Sequence, residues 1–164
     1  MCAATLVEIP LQAERIDGGS LRLYLWFYVK FQHPRTRKVV GERIRFQVDT
    51  GADETTVFNR DMEWLQRQCG LSYVDIPEAR QWSRGVMGEL LPSYALPKVT
   101  MTCQTAENGD FALQLPTLRA VEIPQRENND PYACCALLGM DVLERFSFVN
   151  VDAPGNQARA WAVS

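Results

Sequence analysis

From Leu21 to Gln32 the side chains alternate. Leu21, Leu23, Leu25, Phe27, Val29 and Phe31 fall on one side, and Arg22, Tyr24, Trp26, Tyr28, Lys30 and Gln32 on the other. A repeat of two sustained over this length is the pattern of a long, half-buried β-strand. His33 to Lys38 is polar and marked by Pro34, and alternation resumes from Val39 to Val48 through Ile44, Phe46 and Val48. The two runs therefore predict a hairpin. A helical spacing follows over Arg60–Gln68, with Met62 and Leu65 on one face, Trp64 nearby, Asn59 as candidate N-cap and Gly70 as terminator. Tyr73–Ile76, Tyr94–Cys103, Phe111–Leu115 and Leu118–Ile123 read as strands, separated or ended by Pro92, Pro97, Asn108-Gly109, Pro116 and Pro124. Gln125–Pro131 has no aliphatic residue and predicts a surface loop. Met140–Arg145 predicts a helical turn, and Phe146–Val151 and Ala158–Val163 flank Pro154-Gly155-Asn156 as a second hairpin. The pattern is all-β, mostly antiparallel, with one or two short helices.

With 164 residues the chain has room for one domain, spanning 1–164, and no repeat or low-complexity tract suggests a second. Twenty acidic residues against 17 basic ones give a net charge of −3, so no general field draws in a polyanion and nucleic-acid binding is disfavoured. The basic run Arg35 to Lys38 reads as a solvated hairpin tip. Apolar runs such as Leu25–Val29 are far below the ~20 residues that span a bilayer. The first ten residues lack a basic n-region and Glu8 breaks their apolar run, so neither a membrane nor a secretory destination is expected. The expectation is a soluble, intracellular, cytoplasmic protein. Five cysteines, Cys2, Cys69, Cys103, Cys134 and Cys135, form no CxxC, and His33 is the one histidine. That set argues against a zinc site or a Cys/His nucleophile. Vicinal Cys134 and Cys135 read as small buried thiols, with a redox switch as the alternative. No metal and no cofactor is expected.

The sharpest chemical signal is Phe46-Gln47-Val48-Asp49-Thr50-Gly51-Ala52-Asp53-Glu54-Thr55-Thr56-Val57. An aliphatic strand delivers a carboxylate onto a tight turn, where Gly51 lets another backbone approach closely. Asp-Thr-Gly alone is an ordinary turn sequence. A second segment, Leu137-Leu138-Gly139-Met140-Asp141-Val142-Leu143, places Gly139 90 residues after Asp49. Between them lies the glycine-bearing Trp82-Ser83-Arg84-Gly85-Val86-Met87-Gly88-Glu89. Together the three segments resemble, in order, the catalytic loop, the second signature and the flap of the retropepsin family, the single-lobe aspartic proteases of retroviruses, retrotransposons and their cellular relatives. The resemblance spans about Leu21 to Val163.

It implies a closed, barrel-like acid-protease fold with a flap at about 80–91. It also implies an aspartic endopeptidase acting on extended peptides. Two carboxylates roughly 3 Å apart cannot both ionise, so one takes a proton from water while the other gives one to the carbonyl oxygen. The chain holds a single Asp-Thr-Gly and no Asp-Ser-Gly. An active enzyme is then a homodimer in which Asp49 meets Asp49 of a second copy across a two-fold axis. By resemblance Asp49 is the acid/base, Thr50 bonds across to the other loop, and Gly51 and Asp53 contact the substrate backbone. Ala52, Gly85, Val86, Met87, Gly88 and Leu138 border the substrate, with Val48 as a further apolar wall.

Met140 stands where many retropepsins carry an arginine that pairs with the aspartate numbered Asp53 here, and the flap tip carries Arg84, Met87 and Glu89 in place of Gly and Ile. These departures keep open a second reading, a retropepsin-like dimeric binding or assembly module with little or no peptidase activity. Dimers of the family join through strands near the termini, for which Thr5–Ile9 or Ala158–Val163 are candidates. Of the tryptophans Trp26, Trp64, Trp82 and Trp161, all are expected to favour the core, with Trp82 and Trp161 the candidate exceptions.

Overall fold

A computed structural model describes residues 4–85 and 88–163, apart from the Phe148 side chain. Strand β1 (Leu6–Arg15) is followed by the hairpin β2 (Leu21–Gln32) and β3 (Val39–Val48), then β4 (Thr56–Val57) and helix α1 (Asn59–Cys69). A small hairpin, β5 (Ser83–Arg84) with β6 (Leu90–Leu91), precedes the long pair β7 (Ser93–Gln104) and β8 (Asp110–Val121). The chain ends with β9 (Ala136–Leu138), α2 (Met140–Leu143), β10 (Phe146–Asp152) and β11 (Gln157–Val163).

The sheet runs β10-β11-β1-β2-β3-β9-β4-β8-β7, and β7 also pairs with β2. That extra pairing closes β2, β3, β9, β4, β8 and β7 into a six-stranded barrel, with β1, β11 and β10 as an open flank. The period-two reading explains the interior. Leu25, Phe27, Val29 and Phe31 of β2 and Ile44 and Phe46 of β3 are buried, while Trp26, Tyr28 and Arg43 lie outside. Tyr24 departs from the pattern and is buried beneath the guanidinium of Arg45, 3.9 Å from its ring centre. His33 holds the β2–β3 turn, its Nδ1 accepting from the amides of Arg35 and Thr36.

Several expectations change. Tyr73–Ile76 is not a strand: Tyr73–Asp75 forms a 3-10 turn because the Asp75 carboxylate accepts from both the amide and the hydroxyl of Ser72, each at 3.0 Å. Phe111–Leu115 and Leu118–Ile123 merge into one strand through Pro116. Pairing steps from Pro97↔Thr117 to Val99↔Leu115, and Lys98, in the skipped position, adopts φ 53°. A missing N–H is tolerated where the ladder already skips a pair. The helix starts one residue earlier than expected, with Phe58 as N-cap and Asp61 accepting its amide. Asn59 instead bridges the strand end, donating to the Ile123 carbonyl and accepting from the Ile123 amide and Tyr73 hydroxyl. Gly70 closes α1 at φ 73° as expected.

Candidate active site

The two sequence motifs meet because β9 is threaded between β3 and β4. Phe46–Val48 pairs in parallel with Ala136–Leu138, and Thr56 pairs antiparallel with Leu137 on the opposite edge. The chain must therefore arch from the end of β3 over the end of β9 to reach β4, and Asp49 to Thr55 is that arch. The Asp49 amide donates to the Leu138 carbonyl at 3.1 Å, and the Ala52 amide closes the turn onto the Asp49 carbonyl. One carboxylate oxygen of Asp49 accepts from the Gly51 amide at 2.8 Å. This fixes the carboxylate on the loop with the side chain half-buried, while Thr50 and Gly51 form an exposed tip.

Gly139 and α2 carry the far side of the arch. The Met140 amide donates to the Ala52 carbonyl at 2.8 Å and the Asp141 amide to the Asp53 carbonyl at 3.2 Å. Asp141 returns the grip. Its carboxylate accepts from the Thr55 amide at 2.9 Å and the Thr55 hydroxyl at 2.6 Å, while the hydroxyl accepts from the Gly139 amide at 3.0 Å. Thr55 is fully buried, so a complete set of partners is what makes this polar cluster stable in the interior. Asp141 and Thr55 were not singled out as site residues. Their signal lay in their positions within the two motifs, but only the threading of β9 shows that they bond.

Gly85 and Gly88 lie at the end of the β5–β6 hairpin, where the Gly85 amide donates to Glu89 and the Gly88 amide to Gly85. Gly88 takes φ 81°, a conformation that favours glycine. Val86 and Met87 lie outside the described residues. The hairpin base is pinned by the buried Ser93 hydroxyl, which accepts from the Ser83 amide at 2.8 Å. Arg119 on β8 supplies a second tie. It binds the Glu54 carboxylate, with Nε at 2.7 Å, and donates from a terminal nitrogen to the Gln81 carbonyl at 3.2 Å. The loop bearing Asp49 and the base of the hairpin are thus joined through one guanidinium.

Three expectations about individual residues need correction or completion. Leu138 is not a wall of an open cleft: its side chain is wholly enclosed in the core, and only its carbonyl reaches the Asp49 loop. Alternation forces this, because Leu138 continues the inward face set by Ala136. Asp53 is exposed, and among the described residues no cation lies within ion-pair distance of it, as Met140 at the arginine position implies. The tryptophans are not core residues: Trp26, Trp64 and Trp82 are exposed and Trp161 is half-buried.

The thiols of the described residues are held toward their protonated form. Burial pushes Cys103 up to about 12, whereas the vicinal pair is not the buried pair expected: Cys134 is exposed and Cys135 half-buried, with partial desolvation raising both. Among the described residues no group of three or more His, Cys, Asp or Glu side chains is arranged to hold a metal ion, and no helix is long and apolar enough to cross a membrane.

No protein-family model matches this chain, and no curated protein sequence does. The structure is similar to the crystal structure of a retropepsin-like aspartic protease from Rickettsia conorii, with a TM-score of 0.53 over 100% of this chain and 98% of that one, at 18% sequence identity. At that identity the likeness establishes the fold, which is retropepsin-like.

Proposed function

We propose that the chain is one lobe, 1–164, of a homodimeric aspartic endopeptidase that hydrolyses peptide bonds in extended polypeptide segments. The observation that carries this reading is the Asp49 loop: a carboxylate held by the Gly51 amide at 2.8 Å on an arch fixed from behind by α2, with its tip exposed. One such carboxylate is half of an acid/base pair. A second copy brings the other, and the two share one proton. The ionised Asp49 takes a proton from water as the water oxygen bonds to the peptide carbonyl carbon, and the protonated Asp49 of the other copy gives its proton to the carbonyl oxygen. In the collapse of the diol the ionised Asp49 takes a proton from a diol hydroxyl and the protonated Asp49 gives its proton to the amine nitrogen as the C–N bond breaks, which leaves one proton shared by the pair as before.

In this reading Thr50 bonds across to the other loop. Gly51, Ala52 and Asp53 receive the substrate backbone from below, and Gly85, Val86, Met87 and Gly88 close on it from the hairpin. The terminal strands offered as dimer candidates are already committed, since β1 pairs with β11 from Leu6↔Val163 to Gln12↔Gln157. The open position is β10, the outer strand of the flank, where Val149 and Val151 are 42% and 46% exposed although they sit in register with buried Ala160 and Ala158. An uncovered apolar edge with unpaired backbone groups suits pairing with its own two-fold copy.

The test is Asp49→Asn. The expected result is a folded dimer by sedimentation that no longer cuts a diverse peptide library, and that lowers wild-type activity when mixed with it. Retained cleavage refutes the mechanism. A wild-type dimer that makes no cut from about pH 4 to pH 7 supports the binding-module reading, which is favoured by an Asp53 carboxylate with no cation within ion-pair distance among the described residues.

A further inference from the structure

The outer face of the β2–β3 hairpin carries an aromatic and cationic ladder that the catalytic reading does not use. In register, Tyr24 lies opposite Gln47, Trp26 opposite Arg45 and Tyr28 opposite Arg43. The Arg43 guanidinium stacks 5.2 Å from the Trp26 ring centre and that of Arg45 3.9 Å from Tyr24. Helix α1 faces this ladder with Arg60 and Trp64, and the two elements enclose a groove of about 660 Å³. Trp26 and Trp64 are 39% and 45% exposed at its walls.

Stacking occupies the face of a guanidinium and leaves its in-plane N–H donors directed outward, pre-organised to take a carboxylate. Arg43 has no carboxylate within ion-pair distance among the described residues, whereas Arg45 is met by Glu14 and Arg60 by Asp61 at 3.6 Å. Asp61 also lines the groove and meets Arg60 through one carboxylate oxygen, but it is buried at the first turn of α1 with its other oxygen toward the Phe58 amide. Three guanidiniums, Arg43, Arg45 and Arg60, thus line the groove against one carboxylate. Asp61 also fills the helix N-terminus, so a phosphate has no open amide cluster to bind there. In a chain of net charge −3 the groove is a local reversal of sign. Exposed tryptophan beside arginine is the composition of a protein-binding hot spot.

We propose that this groove is a docking site for an acidic polypeptide segment that carries an apolar or aromatic side chain: carboxylates to Arg43 and Arg60, the apolar side chain between Trp26 and Trp64. Arg45 and Asp49 lie on one chain run, four residues or roughly 13 Å apart at extended spacing. A protein docked here is tethered near the Asp49 loop. That consequence for substrate choice rests on the peptidase reading; the binding itself does not.

The experiment uses the full chain with Asp49→Asn, so that binding is read without cleavage. Fluorescence anisotropy follows a labelled twelve-residue peptide of Glu and Asp with two Leu and one Trp, against a counterpart in which Lys replaces every acid. The acidic peptide is expected to bind saturably and to weaken as salt is raised from about 0.05 to 0.3 M. Arg43→Glu and Trp64→Ala are each expected to lose about tenfold or more in affinity, while Lys38→Glu, on the β2–β3 turn outside the groove, changes nothing. Circular dichroism confirms that the variants are folded. Equal binding of both peptides, no saturable binding of the acidic one, or unchanged affinity in both groove variants overturns the proposal. Cleavage of the diverse peptide library by the wild-type chain is scored separately, so saturable docking with no cut anywhere in the library overturns the peptidase reading and leaves the groove standing.

Discussion

Gly139 is where the threaded architecture can be tested by one methyl group. Its φ of −88° is open to any residue, so backbone conformation does not require glycine. Space does: a Cβ there would lie 2.4 Å from the Glu54 carbonyl carbon, 2.7 Å from its oxygen and 2.8 Å from the Thr55 nitrogen. These are backbone atoms, and they cannot yield freely. The Thr55 amide and hydroxyl bind Asp141, the Gly139 amide binds the Thr55 hydroxyl, and the Met140 amide binds Ala52. Overpacking of a tight interior costs about 1–3 kcal/mol. A shift that leaves one buried member of this cluster without a partner adds about 1–3 kcal/mol. Gly139→Ala should therefore lose roughly 2–6 kcal/mol of a stability that in most domains is about 5–15 kcal/mol.

Gly70→Ala supplies the contrast. Nothing lies within 4 Å of a Cβ at Gly70, but φ is 73°, so the cost is the left-handed backbone alone, roughly 1 kcal/mol. Urea unfolding followed by tryptophan fluorescence gives both numbers, with the dependence on denaturant unchanged if the unfolded state is not altered. Amide exchange at Thr55 and Gly139 should quicken in the first variant and not in the second. A Gly139→Ala protein no less stable than Gly70→Ala would refute the close approach of β9 to the Asp49 arch.

Arg119→Gln should loosen the β5–β6 hairpin. Losing the ties to Glu54 and the Gln81 carbonyl raises amide exchange from Gln81 to Leu91, while global stability falls by no more than about 1 kcal/mol because Glu54 is half exposed. A hairpin that exchanges at the wild-type rate would show that Ser93 alone holds its base. Two aspartates should titrate with opposite signs. At Asp75 burial raises the carboxyl, but the Ser72 bonds and Arg35, 3.0 Å away, outweigh it and the net shift is down. Its contribution is present above the ordinary value of 3.8 and fades as pH falls through the lowered value, so Asp75→Asn should destabilise the protein at neutral pH and little in acid. At Asp61 burial raises the carboxyl against the pull of Arg60, so its favourable contribution belongs to acid and is lost as pH rises through the raised value. Asp61→Asn should then gain stability at neutral pH relative to acid. Unfolding curves at three pH values test both, and parallel pH profiles for the two variants would contradict the assignment.

What the sequence made legible depended on whether neighbours along the chain or neighbours in space decided the structure. Strands β2 and β3 were readable to the residue because their alternation is local and their turn is capped by its own His33. The Asp49 arch was readable as a motif for the same reason. The misreadings fall where a distant partner decides. Tyr73–Ile76 has strand-forming residues, yet a Ser72–Asp75 pair winds it into a turn, and Asp75 is itself held by Arg35 from the β2–β3 turn. Pro116 looks like a strand boundary until Lys98 is placed opposite it. Leu138 looks like a cleft residue because it adjoins Gly139 in sequence, but its face is set by β3 and β4 on either side. Trp26 and Trp64 show the limit most clearly. Large aromatic residues are read as core by default, although alternation already places Trp26 on the outer face of β2 with Arg22 and Lys30. That this face opposes α1, with Arg43 and Arg45 stacked along it, is a fact of packing between elements some thirty residues apart. The Asp49 arch is therefore encoded in local motifs, and the groove beside it only in the way α1 packs over the β2–β3 hairpin.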